Sequence, residues 1–253
     1  MFAIRDASGE GIRKLYTKAS KGMSRINWDL RYSSSNPVRA VSQEPEKLES
    51  SSSGTLAMPG DFSVELYMVA GGEVTQLVKP VNFKATLLNQ ATLPARNYQE
   101  VVDFQAEVSE FSRVMSGTRQ LAREQEVKLN TIRKAIKQTP ETGSNMLIDV
   151  LELDDRLNNI LYKLEGPSAK ASWEELSPME MPLNRRLNLM VRTHWSSTAG
   201  LTLTETDQLE ILREEFPRVL AQLKEVIDGI HKVEAKLDEL KAPWTPGRIP
   251  ALD

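Results

Sequence analysis

Apolar and polar positions alternate with two different periods along this chain, and the change of period falls near residue 97. Before it the period is two, the spacing of strands with one buried face. Phe2 to Asp6 reads as extended, and Asp6-Ala7-Ser8-Gly9 as a turn in which Gly9 is free to take a positive φ. Ile12 to Thr17 predicts a second strand and Arg25 to Arg31 a third. The clearest strand places Phe62, Val64, Leu66, Met68 and Ala70 on one face, with Ser63, Glu65, Tyr67 and Val69 on the other. Gly71-Gly72 then signals a two-residue hairpin into Val74 to Lys79. Val81, Phe83 and Ala85 predict one more short strand beyond Pro80. Six short strands with a one-sided apolar face predict an antiparallel sandwich.

Residues 33–56 interrupt this pattern with Ser33-Ser34-Ser35, an acidic run from Glu44 to Glu49, and Ser50 to Ser53. So little apolar surface cannot offset the entropy of ordering the segment. The reading is a long mobile loop, with room for a short strand at Val38 to Val41.

After residue 97 the spacing becomes helical. Positions 101, 104, 108, 111, 115, 118, 122, 125, 129, 132 and 136 alternate three and four apart and are mostly apolar, with Phe104 and Phe111 among them. A second run is Met146, Val150, Leu153, Leu157, Ile160 and Leu164. The most regular is Leu209, Leu212, Phe216, Val219, Leu223, Val226, Ile230, Val233, Leu237 and Leu240, a heptad seam of helices packed at shallow angles. A shorter helix is expected from Leu183 to Trp195, after Pro182. Thr204 with Asp207 three positions on predicts a capping box for the last helix. Pro217 is expected to kink or restart that helix, and Pro243 and Pro246 to end it. The segment from Gly166 to Met181 reads as a loop whose Trp173 packs on the helices. The fold class is therefore α+β: an N-terminal Ig-like antiparallel sandwich over 1–97, then an antiparallel bundle of about four helices over 98–253.

The expected core comprises Trp28, Phe62, Val64 and Leu66 in the strand region. In the helical region it comprises Phe104, Phe111, Leu157, Leu212, Phe216, Leu223 and Ile230.

Composition narrows the chemistry. Of 253 residues, 40% are hydrophobic and 26% charged, an ordinary globular balance. Up to Asn97 there are 12 basic and 9 acidic residues, and after it 20 and 26, so the parts carry +3 and −6. Neither value gives the basic footprint that nucleic acid requires. No run of about eighteen apolar residues predicts a membrane span. The opening MFAIRDASGEG has no apolar core of a signal peptide.

With no cysteine, disulfides, thiolate metal sites and cysteine nucleophiles are excluded. The two histidines, His194 and His231, lie far apart and no set of His, Asp or Glu residues builds a credible metal site around either, so no metal or cofactor is expected. His194 is expected to cap or pack, and His231 to be exposed. Adjacent carboxylates occur at Asp154-Asp155, Glu174-Glu175 and Glu214-Glu215. Neighbours on a helix point about 100° apart and do not converge on one substrate atom, whereas glycoside chemistry needs two carboxyls facing across a cleft. No catalytic residue is expected.

One set of motifs resembles a known family. Gly22-Met23-Ser24-Arg25-Ile26-Asn27-Trp28-Asp29-Leu30-Arg31-Tyr32 is followed by Met58-Pro59-Gly60-Asp61-Phe62-Ser63-Val64. With Ile4-Arg5-Asp6-Ala7-Ser8-Gly9 and Ile12-Arg13-Lys14-Leu15, it resembles the Ig-like module of the flagellar hook-capping type. That module carries a D-x-x-G turn, a W-D strand and a P-G-x-aromatic strand in this order. The Trp-Asp-Leu-Arg-Tyr version is similar to the module behind the β-propeller of bacterial sortilin-like, or BNR-repeat glycosyl-hydrolase-like, proteins. Pro182-Leu183-Asn184-Arg185-Arg186-Leu187 and the seam from Leu209 look like that family's later helices.

The resemblance implies that Trp28 fills the sandwich core while Asp29 bonds nearby backbone in a turn, and that the first edge strand is missing. It also implies a non-catalytic C-terminal scaffold or interaction region of a secreted, periplasmic or cell-envelope protein. The partner would be the parent's propeller or another envelope protein; the hydrolase label belongs to the propeller. Two alternatives stay open. One is part of a glycan-acting hydrolase whose propeller lies elsewhere, and the other is a module that self-associates through the Leu209 to Leu240 seam.

Overall fold

The computed structural model describes residues 1–37, 53–88, 93–167 and 179–250. Antiparallel strands fill the N-terminal region and four helices follow, an α+β arrangement. The strands are β1 (Phe2–Asp6), β2 (Gly11–Leu15), β3 (Arg31–Ser33), β4 (Ser53–Leu56), β5 (Gly60–Ala70), β6 (Glu73–Gln76) and β7 (Val81–Ala85). The helices are α1 (Tyr98–Gln138), α2 (Ser144–Glu165), α3 (Leu183–His194) and α4 (Leu203–Glu239). The chain forms two compact units: 1–113 with 189–206, and 114–188 with 207–253. The first unit thus takes in the start of α1 and the junction between α3 and α4.

In the first unit, β5 is the central strand. Phe62 pairs with Asp6 of β1 on one edge and with Phe83 of β7 on the other. The β5–β6 hairpin turns at Gly71 and Gly72, with φ of +59° and +83°, the positive pair a two-residue turn of this twist requires. Tyr67 pairs with Gln76 and Val64 with Val81. Two residues of β5 therefore face four on the other arm, so β6 and β7 are one strand interrupted by a bulge that holds Pro80. Proline is tolerated at such a bulge because no ladder N–H is needed there. The β1–β2 turn is tied by Asp6, whose Oδ1 accepts from the N–H of Ser8 and of Glu10, both at 3.0 Å.

The apolar face of this sheet carries Ile4, Ile12 and Phe62, with Ala57 over them and Trp28, Tyr32, Val64 and Phe83 packed around. Trp28 meets the rings of Phe62 and Phe83 edge-on, at 5.4 Å and 5.9 Å between centroids. Its indole N–H donates to the Arg31 carbonyl at 2.9 Å, which satisfies the one polar atom of the side chain.

The strand expected at Arg25 to Arg31 does not form; only Arg31–Ser33 is strand. The Asp29 carboxylate accepts from the Arg31 N–H at 3.2 Å and Leu30 takes a φ of +58°, so the chain turns where an extended path was expected. The region read as a loop over 33–56 also ends in structure, since β4 pairs antiparallel with β3. Gly54 makes that approach possible: a Cβ there would lie 2.4 Å from the Ser33 carbonyl oxygen. The expected strand at 38–41, most of the 33–56 loop and Trp173 lie outside the described residues.

The second unit is built on the predicted seams. Met115, Leu129, Ile132, Leu157, Leu164, Leu212, Leu223, Ile230 and Leu237 are fully enclosed. Arg119 bonds Glu165 and Arg133 bonds Asp154, so α1 and α2 run antiparallel. Arg156 with Glu225, and Lys236 with Asp149, set α2 and α4 antiparallel in turn. It follows that α1 and α4 run the same way, joined by Lys128 and Glu234 at 2.8 Å.

Pro217 neither breaks nor restarts α4, which continues from Leu203 to Glu239. Burial of Phe216 and Val219 beside it outweighs the roughly 3 kcal/mol that an interior proline costs. The helix also ends before Pro243. Lys241 takes a φ of +52° and the Ala242 N–H donates to the Leu237 carbonyl at 2.9 Å, a Schellman-type stop.

Two substitutions test this packing. Gly54→Ala should lower unfolding free energy by about 1–3 kcal/mol in urea titrations, because the clash is with backbone. Gly229 faces Leu153, whose Cδ2 would lie 2.6 Å from an added Cβ. Gly229→Ala should therefore destabilise the wild type, yet stabilise a Leu153→Ala background by up to about 1 kcal/mol of helix propensity. Additive effects in this cycle would contradict the contact.

Candidate functional site

The most organised polar site of the first unit lies at the α3–α4 junction. The sequence Thr202-Leu203-Thr204-Glu205 starts α4 with a reciprocal cap. The Glu205 N–H donates to Thr202 Oγ1 at 3.4 Å, and the Glu205 carboxylate accepts from the Thr202 N–H at 2.8 Å and its hydroxyl at 2.7 Å. The box expected at Thr204 and Asp207 is thus displaced by two residues. Register decides it: only Glu205 lies where its carboxylate can also reach the end of α3.

There the Glu205 carboxylate accepts from the Thr193 hydroxyl and from His194 Nε2, the latter at 3.0 Å. Glu205 and His194 are only 2% and 3% exposed. His194 packs edge-on to Phe104, at 5.3 Å between rings, and its carbonyl accepts from the buried amide of Gln105 at 2.8 Å. Its Nδ1 has no hydrogen-bond partner among the described residues. The next carbonyl, of Trp195, accepts from the Leu56 N–H at 3.0 Å and from Arg31 Nη1 at 2.8 Å. Strand β4, the α1 start and the α3–α4 junction thus meet at one hydrogen-bonded cluster.

Burial opposes ionisation of Glu205. The hydroxyls of Thr193 and Thr202, the Thr202 N–H and the neighbouring His194 outweigh it and hold the carboxyl below its ordinary value of 4.5. Every bond to this carboxylate ties the end of α3 to the start of α4.

A cavity of about 330 Å³ opens in the same unit, between Ile12, Tyr32, Thr55 and Met58 on the strand side and Gln105 and Ser109 on α1. Burial, with the Asp6 charge adding to it, raises the Tyr32 phenol, so it lines the cavity as a neutral donor.

The remaining candidates do not converge. Asp154 bonds Arg133, Asp155 is exposed, and Glu214 bonds Arg218 on an exposed turn beside exposed Glu215. Glu174 and Glu175 lie outside the described residues. His231 is exposed. Among the described residues, no group of three His, Asp or Glu side chains could hold a metal ion, and no helix is long and apolar enough to cross a membrane.

Of the expected core, Phe62, Phe104, Leu157, Leu212, Phe216, Leu223 and Ile230 are buried, whereas Trp28, Val64, Leu66 and Phe111 are half-buried. Sequence reasoning missed Glu205, Gln105 and Arg31. For Glu205 a signal was present, since Thr-x-x-Glu is the preferred form of the box. It also missed how much apolar surface the long hairpin leaves open. Met68, Val69, Val74, Leu77, Val78 and Val81 are all about half exposed, from 49% at Val78 to 60% at Val74.

No protein-family model, curated protein or solved structure matches this chain.

Glu205→Gln keeps the shape and removes the charge, and should cost about 1–3 kcal/mol at pH 7. Because the folded state holds the carboxyl low, that contribution is complete above 4.5 and fades as pH falls through the lower folded value. Urea unfolding of both proteins from pH 7 to pH 3 should show the two midpoints converging in acid. A gap that widens in acid would contradict the assignment.

Proposed function

We propose that this chain is the non-catalytic C-terminal scaffold and interaction region of a secreted or cell-envelope β-propeller protein. In this reading an Ig-like sandwich over 1–97 is followed by an antiparallel helical bundle over 98–253. Its partner is the propeller of the parent protein or another envelope protein. The observation that carries the reading is the use made of the motif residues themselves. Asp6 ties the first turn, Trp28 packs on Phe62 and Phe83, and Asp29 turns the chain into β3.

Residues that resemble a family's signature and work in packing and turns support kinship with a structural module. The apolar side chains left open on the β5–β6–β7 hairpin supply exposed apolar surface that a partner would cover.

Isothermal titration of the full chain against a purified propeller domain of the sortilin-like family should give saturable one-to-one binding at micromolar affinity or better. No heat at 100-fold lower than millimolar affinity, roughly 10 μM, together with glycan hydrolysis abolished by changing one carboxylate, would overturn the reading.

A further inference from the structure

Between β2 and Trp28 the chain of the first unit makes an excursion away from the sheet. Leu15 is the last residue of β2 to pair, opposite Phe2, and the chain returns to the core where Trp28 packs on Phe62 and Phe83. Between these anchors every residue from Tyr16 to Arg25 is exposed. Gly22 turns the loop with a φ of +94°, and the hydroxyls of Ser20 and Ser24 bond across the turn at 2.7 Å. Lys21 and Met23 flank Gly22 at the tip.

The loop carries charge of one sign and an apolar tip. No aspartate or glutamate occurs from Gly11 to Trp28. Lys18 and Lys21 precede the turn and Arg25 follows it, all exposed. None of the three has an ion-pair partner among the described residues. Arg13, on β2, is by contrast buried and donates to the Tyr32 carbonyl at 3.1 Å. Met23 is 101% exposed, above every other large apolar side chain among the described residues.

We infer that this loop is a membrane-contact site. Lys18, Lys21 and Arg25 rest on the headgroups of an anionic phospholipid bilayer, and Met23 enters the boundary between headgroups and acyl chains. The charges select a negative surface, where each Lys or Arg raises affinity on the order of fivefold. Met23 selects lipid among negative surfaces. Nucleic-acid phosphates and acidic peptides offer a thioether chain nothing apolar to enter, and Lys18 to Arg25 holds no aromatic ring on which a base could stack. The net charge of −3 is no obstacle, since charges more than about 8 Å from the bilayer are largely screened in physiological salt. The contact is peripheral and needs no spanning helix. It does not depend on the propeller reading.

Co-sedimentation of the purified full chain with vesicles of roughly one-third phosphatidylserine in phosphatidylcholine tests it. The wild type should bind half-maximally at about 1 mM accessible lipid. It should leave pure phosphatidylcholine unbound and dissociate as salt rises from about 0.1 to 1 M. Lys18→Gln with Lys21→Gln should weaken binding about twenty-fivefold, fivefold for each cation removed. Met23→Ser should weaken it about tenfold and leave the salt dependence unchanged. All three positions are exposed, so circular dichroism melts should match the wild type. The chain has no cysteine, so Met23→Cys can carry a single environment-sensitive dye, whose emission should shift to the blue on anionic vesicles. The same dye on Asp155→Cys, an exposed position of the second unit, should not shift. No sedimentation at roughly 10 mM lipid, binding indifferent to the lysine changes, or a dye at position 23 that stays in water would each overturn the inference. Tighter binding to a DNA duplex or a polyglutamate peptide than to the vesicles would do the same. Failure of propeller binding would leave each of these results unchanged.

Discussion

A carboxylate almost without water holds the first unit together. Burying an unpaired charge costs many kcal/mol, so Glu205 is tolerable only while its donors stay in place: two hydroxyls, a backbone N–H and an imidazole nitrogen. The start of α4 supplies further compensation, because a helix N-terminus favours negative charge. This requirement fixes the end of α3 against the start of α4. It thereby sets His194 and Trp195 where their carbonyls meet Gln105 of α1, Arg31 of β3 and Leu56 of β4. Strands too short to be stable alone are anchored through that junction. Arg31 reinforces it by donating also to Gly54 and Ser196.

The two units use different physics. The second is held by aliphatic seams with ion pairs at their margins, most of them half-exposed and worth little each. The first has a small aromatic core around Trp28, Phe62 and Phe83, and relies on directed hydrogen bonds at the junction. Its core leaves the far half of β5 and the β6 arm uncovered, with Met68, Val69 and Val74 about half exposed.

Much of the fold was legible in the sequence because periodicity reports burial directly. The three seams, the Gly71-Gly72 turn and the strand at Phe62 to Ala70 were legible, although the arm expected over Val74 to Lys79 is strand only over Glu73–Gln76. What escaped was set by tertiary context. Arg25 to Arg31 has strand-like composition, yet the Asp29 side chain competes for the Arg31 N–H and turns the chain. Pro217 is a helix breaker by propensity, yet the buried residues flanking it carry α4 through. β4 has a sequence, Ser-Gly-Thr-Leu, that no alternation marks, and it forms because Gly54 admits β3 at backbone distance. The candidate site was the least legible part. A glutamate in a capping box is ordinary, and only the three-dimensional return of α3 makes it the centre of a cluster.

Hydrogen exchange on Glu205→Ala beside the wild type reaches the central claim most directly. If the carboxylate anchors strands as well as a helix, amide protection should fall in the first turn of α4 and also at Leu56 and its neighbours in β4. Loss of protection confined to residues 203–207, with β4 unchanged, would mean that Glu205 caps one helix and holds nothing else.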